Sequence, residues 1–151
     1  MTSSFDPELF MQQQTDESNS TVYTPVPASE YTSVISDAQA RNTKTKNGEK
    51  PVLNVKFEID DQQVRELTGM EKPFVQKTYW LDLTPNGMLD MGTGKNVELG
   101  KLREAVGQNQ AGKPWAPSML MGNVVRITTR LRENPDNPEQ KYSDVSAVSA
   151  A

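Results

Sequence analysis

The chain has no cysteine and no histidine, and these absences remove several classes of chemistry at once. Without cysteine there is no disulfide scaffold, and without either residue the usual structural zinc sites cannot be built. Imidazole acid–base catalysis and thiol nucleophiles go with them. Apolar residues are scarce at 34 %, below the usual share for a globular chain. No run approaches the ~18 apolar residues of a membrane span, and the first residues lack the basic and apolar regions of a secretory signal. A soluble, intracellular protein with no membrane association is expected. Its 151 residues suffice for one domain with its own core and are too few for two.

Positive charge is missing from the first forty residues, which hold six acids (Asp6, Glu8, Asp16, Glu17, Glu30, Asp37) and no Lys or Arg. The net charge of -4 therefore hides a body from Arg41 onward with 16 basic against 14 acidic residues, a net of +2. That balance permits anion binding without demanding it.

The clearest pattern present is Asn123 to Glu133, which alternates with period two. Val125, Ile127, Thr129 and Leu131 fall on one face, and Val124, Arg126, Thr128, Arg130 and Arg132 on the other. One face can join a core. The other presents guanidinium groups about 7 Å apart, close to the phosphate spacing along a nucleic-acid strand. A solvated outer sheet face is the competing reading.

Ahead of this strand, residues 1–24 read as a flexible acidic arm. Asp6 can cap and Pro7 can open a short helix, while Gln12 to Ser20 has nothing to bury. Phe5, Leu9 and Phe10 stand out there as candidate docking residues. Residues 25–148 read as one domain. Thr24 to Pro27 is a stiff extended lead-in, followed by a first strand at Tyr31–Ala40, a loop at Arg41–Pro51 with an Asn47-Gly48 turn, and a second strand at Val52–Ile59. Gln62–Leu67 suggests a helical turn. A third strand spans Phe74–Leu83, and a helix spans Val97–Val106, capped by Asn96 and stopped by Gly107. Its apolar stripe is Leu99, Leu102 and Val106. The arginine-bearing strand is the fourth. Asn134 to Pro138 turns the chain, and Gln140–Val148 is the fifth strand.

Three strands, one helix and two strands is the element order of an OB-fold, a five-stranded Greek-key barrel that binds oligonucleotides through a sheet face and its loops. A mainly β (α+β) fold of that kind is expected. Single-stranded nucleic acid needs cations to track the backbone and rings on which bases stack. The candidate cations are Arg41, Lys44, Lys46, Lys50, Lys56, Arg126, Arg130 and Arg132; the candidate rings are Phe74, Trp80 and Trp115. Trp80 serves equally as a core residue, and Trp115, in a Pro-flanked loop, equally as a plug over the barrel end. Glu133 to Glu139 is acidic and falls outside this path.

Enzymatic readings fail on the residues. Gly92-Thr93-Gly94-Lys95 lacks the P-loop glycine, since Leu89 stands there, and the hydroxyl residue, since Asn96 does. Glu58, Asp60 and Asp61 form a single acidic cluster with no second carboxylate set for a metal. No nucleophile has a base beside it. A non-enzyme without cofactor or metal is expected.

Several segments resemble a bacteriophage single-stranded-DNA-binding family. Pro27, Tyr31 and Ile35 match a "Pro-x-x-x-Tyr-x-x-x-Ile" lead-in, and Thr45-Lys46-Asn47-Gly48 a "Thr-Lys-x-Gly" hairpin. The run "Lys-Leu-Arg-Glu-Ala-Val-Gly" ending at Gly107 and the strand from Gly122 to Ile127 continue the order. The resemblance spans Pro25 to Val148 and implies an OB-type barrel that coats single-stranded DNA in phage replication or recombination. Partners from those processes and the cytoplasm of an infected bacterium are implied with it. The family's acidic C-terminal tail is missing here; the acidic segment is N-terminal. The alternative is a structural or decoration component of a phage particle, docked through its arm. An exposed sheet edge also leaves room for a homo-oligomer.

Overall fold

The computed structural model describes residues 4–151, so the first three residues of the expected arm lie outside the described residues. The protein is mainly β, with one five-stranded antiparallel sheet in the order β3-β2-β1-β4-β5. The strands are β1 (Glu30–Thr45), β2 (Gly48–Ile59), β3 (Phe74–Trp80), β4 (Val124–Asn134) and β5 (Asn137–Ala150). Three short helices accompany them: α1 (Pro7–Gln12), α2 (Gln62–Thr68) and α3 (Val97–Ala105), with a 3-10 turn at Pro117–Leu120.

The core follows the alternation. Leu53, Val55, Phe57 and Ile59 of β2 are buried with Ile35 of β1, Val75 and Tyr79 of β3, and Val125 and Ile127 of β4. Leu99 and Leu102 of α3 close one side of this cluster. Thr129 is buried as expected, but Leu131 is exposed, because β4 there has run past the core into a projecting hairpin.

Two strand pairs are longer than the alternation indicates. Arg41–Pro51, expected as a loop, is ladder: Arg41 pairs with Val52, Thr43 with Lys50, and Thr45 with Gly48. Only Lys46 and Asn47 turn, and Gly48 follows at φ 104°. These polar residues pair their backbones without burying side chains, so the pattern that marks a half-buried strand is absent. Likewise β4 and β5 pair out to Asn134 and Asn137, leaving Pro135 and Asp136 as the turn. The third strand is shorter than expected, ending at Trp80. Beyond it the chain turns at Thr84 to Met88, where Thr84 N–H donates to the Met88 carbonyl at 2.7 Å.

Asn96 is the N-cap residue of α3, its carbonyl accepting from Gly100 N–H at 2.9 Å, but it sits at φ 52° and its side chain makes no capping bond. Its amide instead accepts from Asp82 N–H and donates to the Asp82 and Asp90 carbonyls, each at 2.9 Å, tying the preceding loop to the helix start. Asp6 and Asp61 do cap α1 and α2, accepting from backbone N–H groups of Glu8 and Val64. None of the described helices is long and apolar enough to cross a membrane.

Candidate nucleic-acid interface

The sheet register sorts the candidate residues. In β1, β2 and β3, Arg41 pairs with Val52 and Val52 with Trp80. Residues directly opposite in a ladder share a face. The same face therefore holds Arg41, Lys50, Lys56, Phe74 and Trp80, with Gln39, Asn54, Gln76 and Thr78 between them and the acids Asp37 opposite Lys56 and Glu58 opposite Phe74. It lies opposite the core face of Leu53, Val55 and Phe57. Lys44 pairs with Glu49 on the other face, and Lys46 is in the turn.

The rings on this face are not equivalent. Lys56 Nζ lies 4.2 Å from the Phe74 ring centroid, so one face of that ring is already covered by a cation. Trp80 is 57 % exposed. Val52, opposite it on the same outer face, is nevertheless fully buried. Asn54 Nδ2 donates to Gln76 Oε1 at 2.8 Å, and Thr78 Oγ1 donates to Asn54 Oδ1 at 3.3 Å, which orders the polar strip between Phe74 and Trp80.

Beyond the free edge of β3 runs a groove of about 940 Å³ whose far wall is β5. Phe74, Trp80, Arg130 and Arg132 all line it, and so do Lys77, Lys141 and Tyr142. Tyr142 is 43 % exposed and pairs with Arg132 across the β4–β5 ladder. The sequence reading missed these last three. Tyr142 carried a signal, standing two residues from Asp144 on a strand whose partner bears Arg130 and Arg132. Lys77 Nζ reaches the Val145 carbonyl at 3.4 Å and so links β3 to β5, which share no ladder.

The arginines are matched by carboxylates. Asp144 accepts from Arg130 at 3.5 Å and from Arg132 at 3.2 Å, so the trio carries one net positive charge. Arg126 pairs with Glu30 at 2.9 Å and lies outside the groove's lining. All three guanidinium groups are about half exposed, and so is Glu30, but the Asp144 side chain is only 19 % exposed. The Arg126–Glu30 pair, open to solvent on both sides, contributes only about 0–1 kcal/mol. Asp144 is held by two arginines in a more sheltered place.

Trp115 is placed otherwise. It packs on the core's edge, its indole N–H donates to Gln108 Oε1 at 2.8 Å, and the Arg103 guanidinium stacks over its ring at 4.2 Å. Burial lowers the Arg103 pKa from its ordinary value. Trp115 lies outside the groove's lining.

Two hydroxyls in the groove's lining, on Tyr79 and Ser143, are buried with no hydrogen-bond partner among the described residues. Burial first, and then the nearby Glu98 carboxylate, push the Tyr79 pKa well above the ordinary phenol value. The acids Asp60 and Asp61 have structural partners, Asp60 pairing with Arg65 and Asp61 capping α2. In the arm, all of residues 4–24 are exposed, including Phe5, Leu9 and Phe10; the rings of Phe5 and Phe10 stand 5.4 Å apart. No protein-family model matches this chain, and no curated protein matches it.

Proposed function

We propose that this protein binds single-stranded DNA without sequence preference, in phage replication or recombination. The five strands are read as an OB-type Greek-key barrel, supported by the strand order, by α3 lying between β3 and β4 in sequence and packing on β5, and by the approach of β3 to β5. The observation that carries the reading is that the exposed rings of Trp80 and Tyr142 line one groove with Arg130 and Arg132. Bases stack on the rings while the guanidinium groups exchange Asp144 for phosphates. Arg41, Lys50 and Lys56 add three cations along the adjoining face, against Asp37 and Glu58.

Titration of fluorescent oligo-dT at low and moderate salt tests this. With about four phosphates neutralised, the log–log salt slope is near -2.8, roughly a fifty-fold loss between 50 and 200 mM salt. The Arg126/Arg130/Arg132→Ala variant loses the binding. A flat salt response, or no binding at low salt, sinks the reading.

A second reading is favoured by α1, which is capped yet buries none of its residues. It makes the arm a docking element, through Phe5, Leu9 and Phe10, for a replication or recombination partner, another copy, or a phage particle. Deleting residues 1–20 then abolishes assembly or recruitment and spares oligo-dT binding; loss of neither overturns it.

A further inference from the structure

The arm's last residues are held against the sheet. Val26 is buried in the core between Pro25 and Pro27, whose rings hold the backbone extended. Three residues earlier, the Tyr23 backbone is clamped by one side chain. Tyr23 N–H donates to Gln140 Oε1 at 2.6 Å, and Gln140 Nε2 donates back to the Tyr23 carbonyl at 2.9 Å. The Ser20 hydroxyl closes a turn on Val22, donating to its carbonyl at 3.0 Å. The segment is thus pinned from both sides, yet the Tyr23 ring is 86 % exposed.

Thr24, Pro25 and Val26 on one side, and Gln140, Lys141 and Tyr142 on the other, all line the groove that holds Trp80. The clamp therefore stands at that groove's end. A ring on an ordered backbone that covers nothing of its own fold loses little further freedom when a flat ligand stacks on it. We propose that Tyr23 is a base-stacking residue, a platform for a nucleobase presented at the end of the groove by the Gln140 clamp. The assignment rests on the single-stranded DNA reading above. It makes the final part of the arm a section of the binding surface, with Lys141 beside it to meet the neighbouring phosphate.

The test uses the full-length protein and an oligo-dT in which iododeoxyuridine replaces some thymidines. Irradiation followed by peptide mass spectrometry yields a cross-link at Tyr23. In titrations Tyr23→Ala weakens binding about 5- to 150-fold, whereas Tyr23→Phe stays within about twofold of the parent because stacking needs the ring and not the hydroxyl. Gln140→Ala weakens binding in the parent and adds no further loss in the Tyr23→Ala background. Thermal unfolding of each variant separates lost contact from lost fold. If the parent binds but Tyr23→Ala binds equally well and Tyr23 does not cross-link, the inference is overturned and the single-strand reading stands. If the parent does not bind at low salt, both fall.

Discussion

Trp80 on β3 and Tyr142 on β5 line one groove although no ladder joins their strands. If both stack bases, each contributes about 1–3 kcal/mol per base. Trp80→Ala and Tyr142→Ala are each expected to weaken oligo-dT binding by roughly 5- to 150-fold. Trp80 also lies opposite the fully buried Val52, so its truncation exposes Val52 and lowers the Tm. Tyr142→Ala has no such partner and changes Tm little. Equal affinity for parent and Tyr142→Ala would remove this residue from the interface.

The Asp144 carboxylate holds two guanidinium groups, and under the proposed function it competes with DNA for them. Asp144→Asn removes the negative charge while keeping one oxygen to accept a hydrogen bond. Affinity for oligo-dT at low salt is expected to rise, with the log–log salt slope steeper by about 0.7 for one additional phosphate. Because the Asp144 side chain is only 19 % exposed, fold stability is expected to fall by about 1–3 kcal/mol, as for other hydrogen bonds to charged groups. A weaker-binding variant would show that Asp144 orients the arginines for DNA instead of holding them back.

Much of this arrangement was legible in the sequence for physical reasons, and the remainder was hidden for physical reasons. Leu53 to Ile59 and Val125 to Thr129 alternate because one face meets the core, and burial follows that alternation. Arg41 to Lys50 and the end of the β4–β5 hairpin at Asn134 and Asn137 form ladders that bury almost nothing, so their polar sequence looks like loop. The arginine face was visible in β4, but its partners were not. Glu30 is 96 positions from Arg126 in the chain, and Asp144 acquires its place from a strand register. The groove itself depends on β3 and β5 approaching without pairing, which no local pattern encodes. Trp115 owes its place to partners that no local pattern shows: Arg103 stacks on its ring and Gln108 accepts from its indole N–H.

The Tyr79 hydroxyl is buried without a partner among the described residues, so removing it is expected to be neutral or stabilising. Tyr79→Phe should raise unfolding free energy by about 0–1 kcal/mol in denaturant melts. Its pKa is raised above the ordinary 10.0 in the fold, so the folded state holds this proton more tightly than the unfolded chain does. The associated stability is complete below about pH 10 and is lost as pH rises from there toward the folded value. Tyr79→Phe should therefore flatten the alkaline limb of stability against pH. Tyr31, also raised and donating to the Pro27 carbonyl at 2.6 Å, leaves a residual slope. A loss of more than about 1 kcal/mol in Tyr79→Phe would mean that the hydroxyl has a partner, such as bound water.

Thr129 is the buried joint between the sheet and the chain that leads to Tyr23. Its hydroxyl accepts from Ser29 N–H at 3.1 Å and lies 3.1 Å from the Pro27 carbonyl, to which it donates, while its own N–H donates to the Ser29 carbonyl at 2.8 Å. Thr129→Val keeps the shape and the backbone bond but loses two part-buried hydrogen bonds, to Ser29 N–H and the Pro27 carbonyl, costing about 0.5–1.5 kcal/mol each. Thr129→Ser retains the hydroxyl and should recover most of that loss. Limited proteolysis should cut Thr129→Val faster than the parent between residues 20 and 29. Because Val26 and Tyr23 depend on this joint for their placement, oligo-dT affinity should fall in Thr129→Val at temperatures where the sheet is still folded. Faster cleavage with undiminished affinity would separate the anchoring of the arm from DNA binding, and Tyr23 would then have no part in the interface.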